Sequence, residues 1–211
     1  MATQFDLGAL GWRILLLGGA SGIGKSTVAR RLGQRLGVSW LQVDDFRLAF
    51  ERSGMEIPDS ALTPTFNGPA SLIEVGTLLS PAIEVVCENH IAQNNPAILE
   101  GDAILPILFD RPMMRSLADG GWLRAIFLSE PQEQAIQTNM QARNRGHADA
   151  AHARKNWRYG AWLCRAAAER GVPTVPVRPW QTLEERILAT AQPPLIPRSA
   201  FRVPHSPGDR P

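Results

Sequence analysis

A short apolar segment that breaks into glycines and then meets a lysine is the feature that most constrains the fold. The segment reads RILLLGGASGIGKST. We predict a strand over residues 13–17, because its run of Ile and Leu lacks the alternation of a strand with one solvated face. The following KSTVARRLGQRLG places Val28, Leu32 and Leu36 at helical spacing, with Gly37 as a stop. The sequence therefore predicts a strand, a glycine-rich turn and a helix in succession.

The glycine-rich turn matches a known phosphate-binding pattern. GASGIGKS has the form G-x-x-x-x-G-K-[ST] and lies between the predicted strand and helix. Glycines let backbone N–H groups approach a phosphate, and the helix adds the positive end of its dipole. Lys25, one of only two lysines, would reach the β- and γ-phosphates, and the Ser26 hydroxyl would ligate Mg²⁺. The predicted nucleotide-binding residues are Gly19, Ala20, Ser21, Gly22, Ile23, Gly24, Lys25, Ser26 and Thr27. The alternative is an ordinary glycine-rich turn.

Composition excludes several classes of protein. The 211 residues suit one domain, and we predict it over residues 1–192. The two cysteines lie far apart, which disfavours a disulfide scaffold or a zinc site and suits the cytoplasm. No apolar run is long enough for a membrane span, and the arginines do not cluster as in nucleic-acid binding. Residues 193–211 contain six prolines, and we expect a mostly disordered tail there.

The rest of the chain alternates short apolar strands with helices. We predict the other strands at residues 38–43, 96–102, 123–128 and 172–177, the last near an edge because of its prolines. The other helices are predicted at residues 45–53, 70–93 with a kink before Pro81, 131–145, 149–170, and 182–191 with a capping box of Thr182 and Glu185. Such alternation indicates an α/β fold with a parallel sheet, whose ligands bind beyond the carboxyl ends of the strands.

Acidic residues follow the second and third predicted strands. VDDF supplies Asp44 and Asp45, and an aspartate here could accept the proton of an attacking hydroxyl or hold a magnesium-bound water. Either could instead cap the helix that begins at Phe46. AILEGD supplies Glu100 and Asp102 as candidate Mg²⁺ ligands, although acidic residues also occur at solvated strand ends. Gly101 between them would permit the close approach of a ligand or a tight turn.

These motifs together resemble the P-loop NTPase superfamily. Their order is similar to the small-molecule kinase branch, which includes nucleoside monophosphate kinases, shikimate and gluconate kinases, chloramphenicol phosphotransferase and zeta toxins. Within that branch GGASGIGKSTVARRLGQRLG, VDDF and ILEGDAILP look most like bacterial 2-phosphoglycerate-kinase-like proteins. The resemblance covers residues 13–190 and implies a five-stranded sheet in the order 2-3-1-4-5, with Asp44 as the catalytic aspartate. It implies ATP and Mg²⁺ as cofactors.

One departure from that resemblance concerns the acceptor. Only Arg47, Arg52 and Arg111 are available near VDDF, fewer cations than a phosphorylated acceptor would demand. We therefore do not assign 2-phosphoglycerate as the substrate from the resemblance. We expect the acceptor to be a hydroxyl-bearing small molecule, with substrate contacts from Asp45, Phe46, Arg47 and Gly101.

Two further segments carry candidate site residues by the same resemblance. The kinases of this branch use a helix–loop–helix as a lid, here about residues 140–158, in which Arg143 and Arg145 would neutralise the transferring phosphoryl group. A solvated arginine-rich surface is the alternative. VRPW supplies Arg178 and Pro179 for the adenine pocket, and Trp180 as either a pocket wall or a core residue.

Three other functions stay open at this point. A nucleoside or nucleotide kinase would use the same motifs. A toxin that phosphorylates a cell-wall sugar nucleotide is a second alternative. The third is an NTP-binding ATPase switch that acts on a protein partner. For the kinase we expect a nucleoside triphosphate and a small molecule as partners, no nucleic acid and no membrane, with a homodimer left open.

Overall fold

A single parallel sheet of five strands organises the molecule. The computed structural model describes residues 10–55, 57, 69–143 and 150–192. The strands run in the order β2-β3-β1-β4-β5, as the resemblance to the small-molecule kinases implied. They are β1 (Ile14–Gly18), β2 (Ser39–Gln42), β3 (Ala97–Gly101), β4 (Leu123–Ser129) and β5 (Thr174–Pro176). All neighbouring strands pair in parallel.

The central position of β1 follows from its uniform apolar sequence. Every residue of the strand is buried, as expected where helices cover both faces of a parallel sheet. Ile14 pairs with Ala97 on one side and with Leu123 on the other. At its carboxyl end Gly18 pairs with Gly101. The phosphate-binding loop therefore starts beside the end of β3.

Helices flank the sheet and connect its strands. They are α1 (Lys25–Leu36), α2 (Val43–Arg52), α3 (Pro69–Ala92), α4 (Pro112–Asp119), α5 (Glu133–Arg143), α6 (Ala150–Ala168) and α7 (Leu183–Ala191). Short 3₁₀ helices cover Pro106–Asp110 and Trp180–Thr182. Helix α1 packs on α7, and α3 packs on α6. Within the described ranges no helix combines the length and the apolar character needed to cross a bilayer.

Three local predictions need correction. Helix α4 is missing from the predicted elements, although Pro112 at its first position and the buried pair Met114 and Leu117 are signals for it. The helix expected at residues 45–53 begins at Val43, so its first turn already contains the aspartates. The predicted capping box does not form. The Thr182 hydroxyl instead donates to the Pro179 carbonyl and accepts from Arg186.

Helix α3 runs through Pro81 without an interruption. Pro81 lacks the N–H that would bond to the carbonyl four residues earlier, so the helix forgoes one backbone hydrogen bond there. Its buried side, which includes Val75, Leu79 and Ile83, packs into the core of the domain. Tertiary packing therefore outweighs the local preference to break the helix.

Candidate active site

The phosphate-binding loop needs glycine at two places where the backbone turns and other side chains press on it. Gly22 and Gly24 have φ of +83° and +91°, which side-chain-bearing residues rarely adopt. A Cβ on Gly24 would lie 2.6 Å from the Trp180 indole, and one on Gly22 would lie 2.8 Å from Cγ of Met140. The loop is therefore enclosed by the connection after β5 and by α5.

Lys25 is the first residue of α1 and is only 7% exposed. Its Nζ donates to the carbonyl of Ala20 at 2.8 Å, which holds the side chain across the loop. An ammonium group has three donors, and this is the one hydrogen bond it makes to the described residues. The remaining donors suit an anionic ligand at the start of the helix, where the helix dipole also favours negative charge.

A cavity of about 660 Å³ lies over this loop. That volume is within the range of small-molecule sites. The loop contributes residues 21–27, and the other walls come from β2, α5 and the connection after β5. Those other walls are Gln42, Asn139, Ala142, Arg143, Arg178 and Trp180. Of the predicted nucleotide-binding residues, Gly19, Ala20 and Pro179 do not line the cavity.

A second, smaller cavity adjoins the first where β1, β2 and β3 end. All four of the predicted metal ligands line it, namely Ser26, Asp44, Glu100 and Asp102. Its other walls are Ser21, Lys25, Gln42, Gly101 and Arg143. The four candidate metal ligands thus meet in one place, as expected if the carboxyl ends of neighbouring parallel strands converge.

Gly101 brings α2 close to β3. A Cβ on Gly101 would lie 2.8 Å from Cβ of Val43, the first residue of α2. A larger residue would therefore push the first turn of α2 away and move Asp44 with it. The approach of a ligand to Gly101 stays a prediction, and Gly101 also lines the smaller cavity.

The two acids of β3 lie in an environment that resists their charge. Glu100 is 3% exposed, and burial raises its pKa, while Lys25 and a hydrogen bond from Ser26 favour the charged form. Burial likewise raises the pKa of Asp102, again opposed by Lys25. The Tyr159 hydroxyl donates to the backbone carbonyl of Asp102 at 2.6 Å and so ties α6 to this turn. A bound cation would replace the hydration that both carboxylates have lost.

Asp44 is exposed in the first turn of α2 and is held by its neighbours on the helix. Nε of Arg47 lies 3.4 Å from Oδ1 of Asp44, and its NH1 lies 2.5 Å from Glu51. Gln42 is the N-cap residue of α2, so the prediction that Asp44 or Asp45 caps the helix is wrong. Asp44 lines the smaller cavity, whereas Asp45, Phe46 and Arg47 line neither cavity.

Two arginines border the large cavity from opposite sides. Arg143 is the last residue of α5 and lines both cavities. Arg178 lines the large cavity, and its Nε donates to Glu130 at 3.1 Å. Trp180 was expected to be either a pocket wall or a core residue. It lines the large cavity and also packs against the core. Arg145 lies outside the described residues.

Three residues of the site were not predicted from the sequence. Gln42 lines both cavities, Asn139 donates to the Gly22 carbonyl at 2.9 Å, and Glu130 holds Arg178. Gln42 could have been found, because it lies two residues before Asp44 at the end of a strand. Asn139 and Glu130 stand in no motif, and only the packing of distant segments brings them to the loop.

The residues fit a magnesium nucleotide. The cavity size, the buried ammonium and the glycine backbone suit a triphosphate, and the hydroxyl and carboxylate oxygens suit a hard cation. Among the described residues no group of three or more His, Cys, Asp or Glu side chains could hold a metal ion by itself. Mg²⁺ commonly takes one or two carboxylates and completes its shell with phosphate oxygens and water.

Comparisons with known proteins agree with this architecture. Neither a model of a protein family nor a curated protein sequence matches the chain. Among solved structures, a gluconokinase from Sinorhizobium meliloti 1021 is 19% identical, with a TM-score of 0.50 over 84% of this chain and 90% of that one. A shikimate kinase from Acinetobacter baumannii is 15% identical, with a TM-score of 0.52 over 87% and 95%. The Deinococcus radiodurans tunicamycin resistance protein is 18% identical, with a TM-score of 0.51 over 87% and 99%. The chain therefore has the fold of the P-loop kinases.

Proposed function

We propose that this protein transfers the γ-phosphoryl group of ATP to a hydroxyl of a small-molecule acceptor in the presence of Mg²⁺. One observation carries the proposal. The side chains of Lys25, Ser26, Asp44, Glu100 and Asp102 meet at the carboxyl ends of three neighbouring strands. Phosphoryl transfer needs a cation on the phosphates, oxygen ligands for Mg²⁺ and a carboxylate beside the attacking hydroxyl. This group of residues supplies all three.

Each residue has a role in that chemistry. The amides of residues 21–27 and the Lys25 ammonium hold the triphosphate. Ser26 and the carboxylates of Glu100 and Asp102 would hold Mg²⁺, which neutralises charge on the β- and γ-phosphates when bound. Arg143, at the junction of the two cavities, stabilises the charge of the transferring group.

Asp44 acts on the acceptor. Its carboxylate orients the acceptor hydroxyl and takes the proton as the oxygen attacks the γ-phosphorus. A new O–P bond forms to the acceptor, the bond between the γ-phosphorus and the β–γ bridging oxygen breaks, and ADP leaves with that oxygen. Arg47 holds Asp44 from the next turn of α2 and so limits its side-chain rotation.

The charge of the segment between β2 and β3, which we assign to the acceptor, narrows the chemical class of acceptor. Residues 43–92, which connect β2 to β3, contain eight acidic and two basic residues. Arg47 is paired with Asp44 and Glu51, and Arg111 is paired with Glu84. An acceptor that carries a phosphate would meet repulsion there. We therefore infer an acceptor that is neutral or positively charged.

Replacement of Asp44 tests the proposal. Asp44→Asn should lower phosphoryl transfer by about 10²- to 10⁴-fold, because the amide cannot accept the proton. ATP affinity, measured by calorimetry, should survive. The matched control is Asp119→Asn, which changes an exposed carboxylate on α4 outside both cavities. Wild-type turnover by Asp44→Asn would refute the role of the residue, and hydrolysis stimulated only by a protein partner would favour an ATPase switch.

A further inference from the structure

Glu130 is a buried carboxylate that no motif explains. It follows β4 directly, and its side chain is 0% exposed. One carboxylate oxygen accepts the backbone N–H of Gln132 at 3.1 Å, and the other accepts Nε of Arg178 at 3.1 Å. Taking a carboxylate out of water costs free energy that only such partners offset. Both oxygens of Glu130 therefore accept a hydrogen bond, and one of the donors, Arg178, lines the large cavity.

Arg178 and Trp180 form that wall together. Arg178 remains 54% exposed although its Nε is held, so part of the guanidinium is available to a ligand. The Trp180 ring is held from the other direction, because it lies against the backbone of Gly24. Both side chains come from the connection after β5, and each is fixed by a contact to another part of the chain. This wall belongs to the large cavity and not to the smaller one that contains the carboxylates, and it is a cationic and aromatic surface.

We propose that Glu130 is a positioning residue for the nucleotide, an inference that rests on the proposed function. The phosphates occupy the loop near Lys25, so the base of the nucleotide reaches the wall that Arg178 and Trp180 form. An arginine held in one orientation can lay its guanidinium plane on a base. The buried Glu130 carboxylate removes the rotational freedom of Arg178 before binding. The base therefore meets a preorganised surface.

A comparison of two ligands separates this role from general support of the fold. Mg²⁺–ATP contacts both the loop and the wall, whereas Mg²⁺–tripolyphosphate has no base and contacts only the loop. Calorimetry on the full chain should show that Glu130→Gln weakens Mg²⁺–ATP binding by about tenfold. Tripolyphosphate binding should stay within about twofold of wild type. Arg178→Met should have the same selective effect, and the double variant should bind ATP no more weakly than Arg178→Met alone.

Glu169→Gln is the matched control. Glu169 is an exposed glutamate paired with Arg170, away from the cavity, so its replacement should leave both affinities unchanged. Equal losses for ATP and tripolyphosphate in Glu130→Gln, or no loss for either, would overturn the positioning role. A wild-type protein that binds neither ligand would instead overturn the proposed function, and the inference with it.

Arg178→Lys keeps the test decisive if Glu130→Gln does not fold. Arg178 is half-exposed, so its replacement leaves the core intact. Lysine keeps the charge but lacks the planar fork that Glu130 holds. We expect the same selective loss of ATP affinity, and an Arg178→Lys protein with wild-type affinity for ATP would contradict the proposal.

Discussion

At the scale of single residues, the surroundings of two carboxyl groups in the site disfavour their charged form. Glu100 and Asp102 are both buried enough that their pKa values are raised, although Lys25 lies nearby. A carboxyl group whose pKa is higher in the folded protein than in the unfolded chain stabilises the fold only at low pH. That contribution is lost as the pH rises through the raised pKa. Glu100 and Asp102 therefore lower stability at neutral pH, which is the cost we expect of the metal site proposed above.

Glu100→Gln tests this at the residue scale. The amide resembles the protonated acid, so the variant should be more stable than wild type at pH 7. The difference should shrink as the pH falls through the raised pKa of Glu100, and it should be gone below 4.5, the ordinary value for glutamate, because Glu100 is then protonated in both the folded and the unfolded wild-type chain. Urea denaturation from pH 4 to pH 8 measures it. A variant less stable than wild type at pH 7 would contradict the account, and Mg²⁺–ATP affinity should fall in any case.

Gly24 offers a second test at the same scale. Gly24→Ala should lower the free energy of unfolding by about 1–3 kcal/mol, because alanine at positive φ is strained and its Cβ meets the Trp180 ring. Gly37→Ala is the control, since Gly37 has φ of +67° but open space around its Cβ position. Chemical denaturation should show a larger loss for Gly24→Ala. Equal losses would mean that Trp180 moves freely.

At the scale of elements, α5 and α6 support the loop. Asn139 and Met140 of α5 contact Gly22, and Gly160 of α6 lies against Ala20. Residues 140–158 were expected to form a lid, and that role stays a prediction, as does the role of the arginines in this range. In the described part of the range Met140, Ala153 and Asn156 are buried.

Tyr159→Phe tests the coupling between α6 and β3. It removes the hydrogen bond to the Asp102 carbonyl and leaves a buried acceptor without its donor. The free energy of unfolding should fall by about 1–3 kcal/mol. Denaturant titration measures this, and Mg²⁺ affinity in the presence of ATP should fall as well. Thr138→Val, which removes an exposed hydroxyl on α5, should change stability by less than about 0.5 kcal/mol.

At the scale of the whole molecule, charge is divided along the chain. Residues 43–92 carry a formal charge of −6, while the rest of the chain carries +8. The basic part contains the phosphate-binding loop, and the acidic part begins at Asp44. Under the proposed function, the basic part would attract the polyanionic nucleotide, and the acidic segment would disfavour an anionic acceptor.

A panel of matched acceptors tests this division. Hydroxyl compounds that differ only by an amino, neutral, carboxylate or phosphate group should differ in kcat/KM. We expect the amino and neutral forms to exceed the anionic forms by about tenfold or more, and the preference should weaken at high salt. Coupled measurement of ADP formation provides the rates. A preference for the phosphorylated form would contradict the inferred acceptor class.

Contiguous patterns determined most of the fold. The apolar run of β1, the glycines after it and the periodicity of α1 are local features, and each predicts its element without reference to the rest of the chain. The same reasoning placed β2 and β3 to within one residue at each end. Helix α4 was missed since eight residues carry too little periodicity. The start of α2 was misplaced since burial of Val43 against Gly101 is a contact across the sheet.

The sequence by itself determined the parallel α/β class, the phosphate-binding loop and the residues that could carry the chemistry, and the strand order came from the resemblance of its motifs to the small-molecule kinases. Only the tertiary structure decided which of them meet. Glu130 and Arg178 lie 48 residues apart, and Tyr159 and Asp102 lie 57 apart. No local propensity encodes such pairs, because they form when distant segments pack in one register. Neighbouring residues in the sequence therefore determine the chemistry of the loop, whereas the contacts that hold the loop in place depend on the tertiary structure.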